Sequence, residues 1–289
     1  MGYPNLEVLM PETLEEALGL LEAHGHDGAR VMAGGTDLLV NMNSGAYRPA
    51  MVIALDRIAG MDGIEMSDGK IRVGGRTTFD TILRSDEIRV HAPVLHSAVR
   101  NIGSPQIRSR ATIGGNISNA SPCADSLPAL CVLGASVTLT CCQGKRTLPI
   151  EDCFRGPKET VFHANEILTG IEFPIPGQPE CGFYLAMGQR NAVAITKLSV
   201  AGQFEIEEDG TVQDAKIAFG AVAPTVVRGL AVEEYLKGRR ITPEVLEECA
   251  ALAIEATKPI TDIRSTEEYR HTVTALLLNR GLESLVKCP

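Results

Sequence analysis

Near its N-terminus the chain reads Arg30-Val-Met-Ala-Gly-Gly-Thr-Asp-Leu-Leu-Val-Asn-Met42, a strand pattern that runs straight into a glycine turn and a helix. The apolar residues of Arg30 to Ala33 predict a short strand, and Leu38 to Met42 predicts one or two helical turns. Glycines between a strand and a helix let backbone N–H groups converge on an anion without interference from a Cβ atom. A Gly-Gly turn is more often only a turn, so this motif alone is a weak indication of a binding site.

A second glycine segment, Thr112-Ile-Gly-Gly-Asn116, lies further along the chain and has the same pair of adjacent glycines. We predict it to be a loop, with Asn116 and Ser118 offering side-chain hydrogen bonds. Neither segment fits G-x-G-x-x-G after the first strand or G-x-x-x-x-G-K-[ST]. A Rossmann dinucleotide site and a P-loop are therefore not supported.

Outward from these segments, helical and strand patterns are mixed. Thr13 and Glu16 form a capping-box pattern that predicts a helix up to Gly25, and Asp68-Gly69 predicts the turn of a hairpin between Ile64 and Val73. Asp209-Gly210 predicts a second hairpin. Further predictions are a strand at 51–55 and helices at 78–84, 91–101, 126–133, 243–257 and 266–286, the last with Tyr269, Val273, Leu276, Leu277 and Leu285 on one stripe. Strands do not alternate strictly with helices, so the fold class is α+β.

A proline-rich segment, Glu172 to Pro179, is a plausible joint between domains. We expect an N-terminal domain at residues 1–175, divided into subdomains of roughly 1–57 and 58–175. Residues 176–289 then form a smaller C-terminal α+β domain.

Composition excludes several classes of function. Charged residues make up 22% of the chain and its net charge is −9, which argues against a nucleic-acid partner because phosphate binding needs clustered Lys and Arg. No apolar run reaches membrane-spanning length, and Met1 to Glu12 lacks a secretory pattern, so we expect a cytoplasmic protein. The eight cysteines form no C-x-x-C pair and the histidines are scattered, so no metal site is predicted. We expect at least one of Cys141 and Cys142 on a buried strand face.

Several ordered motifs together resemble the FAD-binding medium subunit of bacterial molybdenum hydroxylases, the family of xanthine dehydrogenase and carbon monoxide dehydrogenase. The resemblance covers nearly the whole chain. The motifs are Ala33 to Leu39, Gly103-Ser-Pro-Gln-Ile-Arg108, Ala111 to Ile117, Ala120-Ser-Pro-Cys-Ala-Asp125-Ser-Leu-Pro128, Glu166 to Pro174, Gly188-Gln-Arg190 and Phe219 to Thr225.

The resemblance implies a two-part FAD-binding domain of the vanillyl-alcohol-oxidase type. In it the two glycine segments hold the FAD diphosphate, Ile102 and Gly103 pass beside the flavin ring, and Ile167 or Leu168 packs against it. No catalytic residue is nominated, because the cofactor supplies the chemistry. The full set of implied cofactor-binding residues is Met32, Ala33, Gly34, Gly35, Thr36, Asp37, Leu38, Ile102, Gly103, Thr112, Ile113, Gly114, Gly115, Asn116, Asp125, Ile167, Leu168 and Tyr184.

Two of these residues have alternatives. The resemblance places Asp125 at a sugar or ribityl hydroxyl of FAD, but the residues alone favour an acid at a helix N-terminus. Tyr184 either stacks on or hydrogen-bonds the flavin, or is a strand residue with its ring in the core. Many family members have a lysine just before the Gly188-Gln-Arg190 segment, and this chain has none, so Arg190 or Lys197 is a candidate to replace that charge.

By resemblance, the partners are a molybdopterin-binding large subunit and a [2Fe–2S] small subunit, with NAD⁺ or another acceptor taking electrons from FAD. Thr36-Asp37 is more similar to xanthine dehydrogenase than to carbon monoxide dehydrogenase, and Asn116 runs to Cys123 without the insertion that carries an extra iron–sulfur cluster in one branch. The alternative is a non-enzymatic flavin-binding or assembly module on the same fold, which only the missing lysine favours.

Overall fold

The computed structural model describes residues 6–190 and 193–286. Its strands are β1 (Glu7–Leu9), β2 (Arg30–Met32), β3 (Met51–Ala54), β4 (Ile64–Ser67), β5 (Lys70–Gly74), β6 (Ser136–Cys141), β7 (Gly144–Pro149), β8 (Phe154–Gly156), β9 (Glu159–Thr160), β10 (Ile167–Pro174), β11 (Gly182–Met187), β12 (Leu198–Ile206), β13 (Val212–Gly220) and β14 (Val227–Arg228). Its helices are α1 (Leu14–His24), α2 (Leu38–Asn43), α3 (Phe79–Arg84), α4 (Asp86–His91), α5 (Pro93–Arg100), α6 (Pro105–Arg108), α7 (Ile113–Asn119), α8 (Ser126–Val132), α9 (Leu230–Leu236), α10 (Pro243–Ala256) and α11 (Glu267–Leu285), and Ile150–Cys153 is a 3₁₀ turn.

The N-terminal subdomain is a parallel three-stranded sheet, in the order β1-β3-β2, with α1 packed against it. Thr13 caps α1 as expected, since its hydroxyl accepts a hydrogen bond from Glu16 N–H. Strand β2 ends at Met32, and the glycine turn carries the chain directly into α2. The sheet therefore fixes where the turn begins.

The second subdomain contains an antiparallel five-stranded sheet in the order β4-β5-β10-β6-β7. Its first hairpin turns at Asp68 and Gly69, which both have positive φ angles, 53° and 71°, as a two-residue type I′ turn requires. Helices α3, α5, α7 and α8 cover one face of the sheet and form the largest core with it. The hairpin predicted at 64–73 is confirmed.

The C-terminal domain is built on an antiparallel four-stranded sheet, β11-β12-β13-β14. One face packs against α5 and α8 of the preceding domain, and the other face packs against α9 and α11. Both faces are thus covered, and β12 is buried along seven of its nine residues. The hairpin at Asp209-Gly210 is confirmed, whereas β11 and β14 extend it into a full sheet.

Two local predictions were wrong. On α11 the buried side chains include Arg270, Val273 and Leu277, whereas Tyr269 and Leu276 are 40% and 51% exposed, so the apolar stripe is rotated from the one predicted. Cys141 is only half-buried and Cys142 is exposed, because β6 ends there and the chain turns at the edge of the sheet.

Candidate cofactor site

A cavity of about 650 Å³ opens between the glycine turn of the first subdomain, α7 and the segment that leads into β10. This volume lies within the roughly 300–1,000 Å³ range typical of cofactor sites. Among the residues that line it are Met32, Ala33, Gly34, Gly35, Thr36, Asp37, Leu38, Ile102, Thr112, Gly114, Gly115, Asn116, Ile167 and Leu168. The fold thus brings most of the predicted residues together, although they come from four separate segments.

The first glycine turn presents unused hydrogen-bond donors to the cavity. The backbone N–H groups of residues 34–38 donate to no acceptor within residues 6–190 and 193–286; the first one used is that of Leu39, which donates to Gly35 O at 3.1 Å. Gly35 has a φ of +75°, a conformation that glycine adopts without strain. Successive N–H groups of this kind form a concavity suited to an anion such as a diphosphate.

Gly34 is required for a reason that the sequence did not reveal. A Cβ atom on Gly34 would lie 1.7 Å from the carbonyl oxygen of Arg110 and 2.5 Å from its carbon. The turn therefore packs directly on the backbone that precedes α7. The missing side chain serves this contact between subdomains, whatever access it also gives to a ligand.

The second glycine segment is the first turn of a helix, and the prediction of a loop was wrong. Its N–H groups are already used: Ile113 N–H donates to Thr77 O at 3.0 Å, Gly114 N–H to Gly75 O at 3.0 Å, and Gly115 N–H to the Thr112 hydroxyl at 3.1 Å. Two adjacent glycines disfavour a helix, but contact with the end of β5 holds this one in place. Thr112 at the N-cap was the available signal.

This segment therefore contributes shape and side chains to the cavity, with its backbone donors engaged in the fold. A Cβ on Gly114 would lie 2.4 Å from Gly75 O, so the helix can approach β5 only with glycine there. Thr112, Asn116 and Ser118 border the cavity, and Asn116 Oδ1 accepts from the Ser126 hydroxyl at 2.6 Å.

The turn at Ile102 and Gly103 is fixed by an arginine that the sequence did not single out. Arg108 Nη1 donates to Ile102 O at 3.0 Å and to Gly103 O at 3.2 Å. Gly103 has a φ of +49°, and Ile107 lies where its Cβ would be. Ile102 lines the cavity but Gly103 does not.

A partly buried ion pair supports the wall that includes Ile167 and Leu168. Arg146 donates to both carboxylate oxygens of Glu166 and, at 3.0 Å, to Val161 O. Burial acts to raise the pKa of Glu166, but hydrogen bonds from Arg146 and from the His163 N–H outweigh it and hold that pKa below its usual value. No sequence pattern pointed to Arg146, because its partner lies twenty residues away, just before β10, and β6 separates β10 from the strand of Arg146 in the sheet.

Asp125 and Tyr184 lie outside the cavity lining, in a polar cluster where the two domains meet. Asp125 Oδ1 accepts hydrogen bonds from the hydroxyls of Tyr184 and Thr196, each at 2.6 Å. All three residues are buried, and burial raises the pKa of Asp125 despite those two bonds. Asp125 is also the N-cap residue of α8, the helix N-terminal position that the residues alone favoured, although its side chain makes no capping hydrogen bond there.

Tyr184 is a strand residue with a buried ring, as the second alternative for it expected. Ile113 is also fully buried, with its side chain in the core beneath the cavity. Of the two candidate cations, Arg190 donates to Val193 O at 2.6 Å, and the Lys197 ammonium lies 5.3 Å from the centre of the Tyr269 ring. Neither lines the cavity.

Residues 4–176 match the family model described as the FAD binding domain in molybdopterin dehydrogenase, which is more than half of the chain. The chain belongs to this family. Residues 183–285 match the CO dehydrogenase flavoprotein C-terminal domain. The expected two-domain α+β fold is therefore confirmed, as are FAD as the cofactor and the assignment to an oxidoreductase of the molybdenum hydroxylase family.

Curated relatives and solved structures agree with the family. The glyceraldehyde dehydrogenase medium chain of Sulfolobus acidocaldarius is 27% identical over 99% of this chain and 100% of its own length. The nicotinate dehydrogenase FAD-subunit of Eubacterium barkeri is 30% identical over 84% of this chain and 83% of its own. A chain of carbon monoxide dehydrogenase from Hydrogenophaga pseudoflava superposes with a TM-score of 0.93 at 28% identity, covering 99% of both chains.

No helix within residues 6–190 and 193–286 is long and apolar enough to cross a membrane. Over the same residues, no three His, Cys, Asp or Glu side chains come together as potential ligands of a metal ion.

Proposed function

We propose that this flavoprotein holds FAD in the cavity and passes electrons from the iron–sulfur clusters of a partner subunit to NAD⁺ or another acceptor, within a xanthine dehydrogenase-like molybdenum hydroxylase. The observation that carries the proposal is the turn at residues 34–38, which lines a cavity of cofactor size and has five unused backbone N–H donors. Such a turn suits the negative charge and oxygen acceptors of the FAD diphosphate.

Each wall of the cavity would contribute a different kind of contact. The donor turn would bind the diphosphate, and the side chains of Thr112, Asn116 and Ser118 would hydrogen-bond the polar parts of the cofactor. Ile102, Ile167 and Leu168 would give apolar surface to a ring system. When bound, FAD supplies a centre that exchanges one or two electrons, and the protein sets its position and access.

The partners in this proposal are a molybdopterin-binding large subunit and a [2Fe–2S] small subunit. Names such as medium chain and FAD-subunit among the relatives support it, since they denote one polypeptide of an assembly. We place the assembly in the cytoplasm, where buried thiols such as Cys131 and Cys249 stay reduced. Thr36-Asp37 supports the xanthine dehydrogenase-like branch.

The test is anaerobic redox titration of the purified chain and of its complex with the partner subunits. We expect one releasable FAD per chain, bleaching by dithionite, and recovery of the oxidised flavin spectrum on addition of NAD⁺. A chain without flavin would refute the cavity assignment. A flavin that bleaches but is reoxidised by no soluble acceptor would instead support the non-enzymatic flavin-binding module.

A further inference from the structure

Asp37 connects the two subdomains at the edge of the cavity. Its Oδ1 accepts a hydrogen bond at 3.2 Å from Nδ2 of Asn119, the last residue of α7. Both residues line the cavity. One bond therefore joins the donor turn of the first subdomain to the helix that carries the second glycine segment.

The Asp37 carboxylate is also held from its own side. Asn41 Nδ2 donates to Asp37 Oδ2 at 2.7 Å and to Asp37 O at 3.0 Å, one turn along α2. The bonds from Asn41 orient the carboxylate, so that one of its oxygens is available to Asn119 of α7.

A lysine from a third segment of the chain also lies beside Asp37. Lys158 Nζ lies 3.9 Å from Asp37 Oδ1. The backbone N–H of Lys158 donates at 2.8 Å to the carbonyl of Ala120, the residue that ends α7. The side chains of Asp37 and Lys158 are each 46% exposed. The backbone of Lys158 is therefore anchored to the same helix end as Asn119, which places its side chain beside Asp37.

The charge of Asp37 has a consequence for an anionic ligand. Its own N–H is among the unused donors, so a diphosphate bound by the turn would lie only a few ångströms from a carboxylate of like charge. A nearby cation reduces that repulsion. We propose that Asp37 is a positioning residue that ties together the two halves of the FAD site, and that Lys158 offsets its charge; the inference rests on the proposed function.

Two double variants separate the bridge from the charge. Asp37→Asn/Lys158→Met and Asp37→Ala/Lys158→Met remove the same two charges, but only the first keeps a side-chain oxygen that can accept from Asn119. We expect the asparagine pair to bind FAD within about threefold of wild type. We expect the alanine pair to bind about three- to tenfold more weakly than the asparagine pair, the effect of one hydrogen bond.

Single variants test the charge. Lys158→Met leaves the Asp37 charge uncompensated, so its FAD dissociation constant should rise about two- to fivefold at low salt, the range for an exposed charge pair. Asp37→Asn alone should bind FAD more tightly than wild type at low salt, because the repulsion from the carboxylate is gone and the Lys158 ammonium remains. Both differences should shrink at high ionic strength, because exposed charges are screened.

FAD affinity is measured by flavin fluorescence titration of the full-length apoprotein, and hydrogen exchange of the same apoprotein gives a readout without cofactor. Loss of the bridge should raise exchange in residues 38–43 and 113–119 of the alanine pair but not of the asparagine pair. Equal affinity and equal exchange in the two pairs would overturn the bridge, and a salt-independent effect of Lys158→Met would overturn the charge role. Wild-type protein that bound no FAD would overturn the proposed function, whereas the exchange data would still decide the bridge.

Discussion

Replacing Asp125 by alanine should loosen the junction between the two domains. The variant removes the one oxygen that accepts from the hydroxyls of Tyr184 and Thr196, each at 2.6 Å. A buried hydroxyl without a partner costs about 1–3 kcal/mol. Tyr184 also has the Ser199 hydroxyl beside it, whereas in the described part of the chain the Thr196 hydroxyl bonds to Asp125 alone.

A second effect acts in the opposite direction. Burial raises the pKa of Asp125, which means that the folded protein disfavours its charged form, and removing the carboxylate relieves that cost. We therefore expect a net loss of about 1–2 kcal/mol in the free energy of unfolding at neutral pH, less than the full cost of one unpartnered hydroxyl. Asp125→Asn keeps an oxygen acceptor without the charge, so its loss should be below about 1 kcal/mol.

The assay is urea unfolding of the apoprotein, followed by far-ultraviolet circular dichroism, for both variants and for Thr196→Val. An alanine variant as stable as wild type, or an asparagine variant as unstable as the alanine variant, would refute the hydrogen-bond account. The same proteins also test whether Asp125 binds FAD directly. A direct bond from Asp125 to an FAD hydroxyl predicts about a ten- to hundredfold rise in the FAD dissociation constant of the alanine variant.

Three further predictions concern other parts of the molecule. Gly34→Ala should lower the stability of the apoprotein by about 1–3 kcal/mol or more and abolish FAD binding, because its Cβ would overlap Arg110 O. Gly19→Ala is the matched control: Gly19 is exposed on α1 with open space around it, so the variant should be more stable by about 0.5–1 kcal/mol. Equal melting temperatures for the two variants would contradict the contact between Gly34 and Arg110. Because the folded-state pKa of Asp125 is raised, its stabilising contribution is present below the ordinary aspartate pKa of about 3.9 and is lost as pH rises through the folded value. The free energy of unfolding of wild type minus that of Asp125→Asn should therefore fall from pH ~4 upward in urea titrations. A difference that rises with pH would show that the pKa is shifted in the opposite direction. Arg270→Met should lower the free energy of unfolding by about 3–5 kcal/mol, since the buried guanidinium donates to Ala221 O at 2.7 Å and to Asp262 Oδ1 at 2.9 Å. A loss below about 1 kcal/mol in thermal unfolding would rule out a structural role for the ion pair of Arg270 and Asp262.

Features that depend on neighbouring residues could be predicted from the sequence. The cap at Thr13, the hairpin at Asp68-Gly69 and the strand–turn–helix of residues 30–43 each follow from a few adjacent side chains. The helical start of α7 could not, because it depends on β5, to which Gly114 donates through the Gly75 carbonyl. Two adjacent glycines disfavour a helix there, but the contact with the end of β5 stabilises it.

The candidate site shows the same division. Most of the residues that the resemblance implied do line the cavity, since they are close together within each segment. Arg146, Lys158 and Thr196 were missed because each acts through a partner distant in the chain: Glu166, Asp37 and Asp125. The placement of Asp125 against Tyr184 and Thr196 likewise depends on how β12 packs on α8 and β11 on α5, which no local pattern specifies.

The burial of α8 bears on how such a protein can be divided or recombined. All seven of its residues are buried, and strands β12 and β13 of the C-terminal domain supply one side of that environment. A fragment that ended after β10 would present this helix to water and would be prone to aggregate. Chimaeras that exchange the C-terminal domain between relatives must therefore match the new sheet to α8, so the two domains should be inherited and engineered as a single unit.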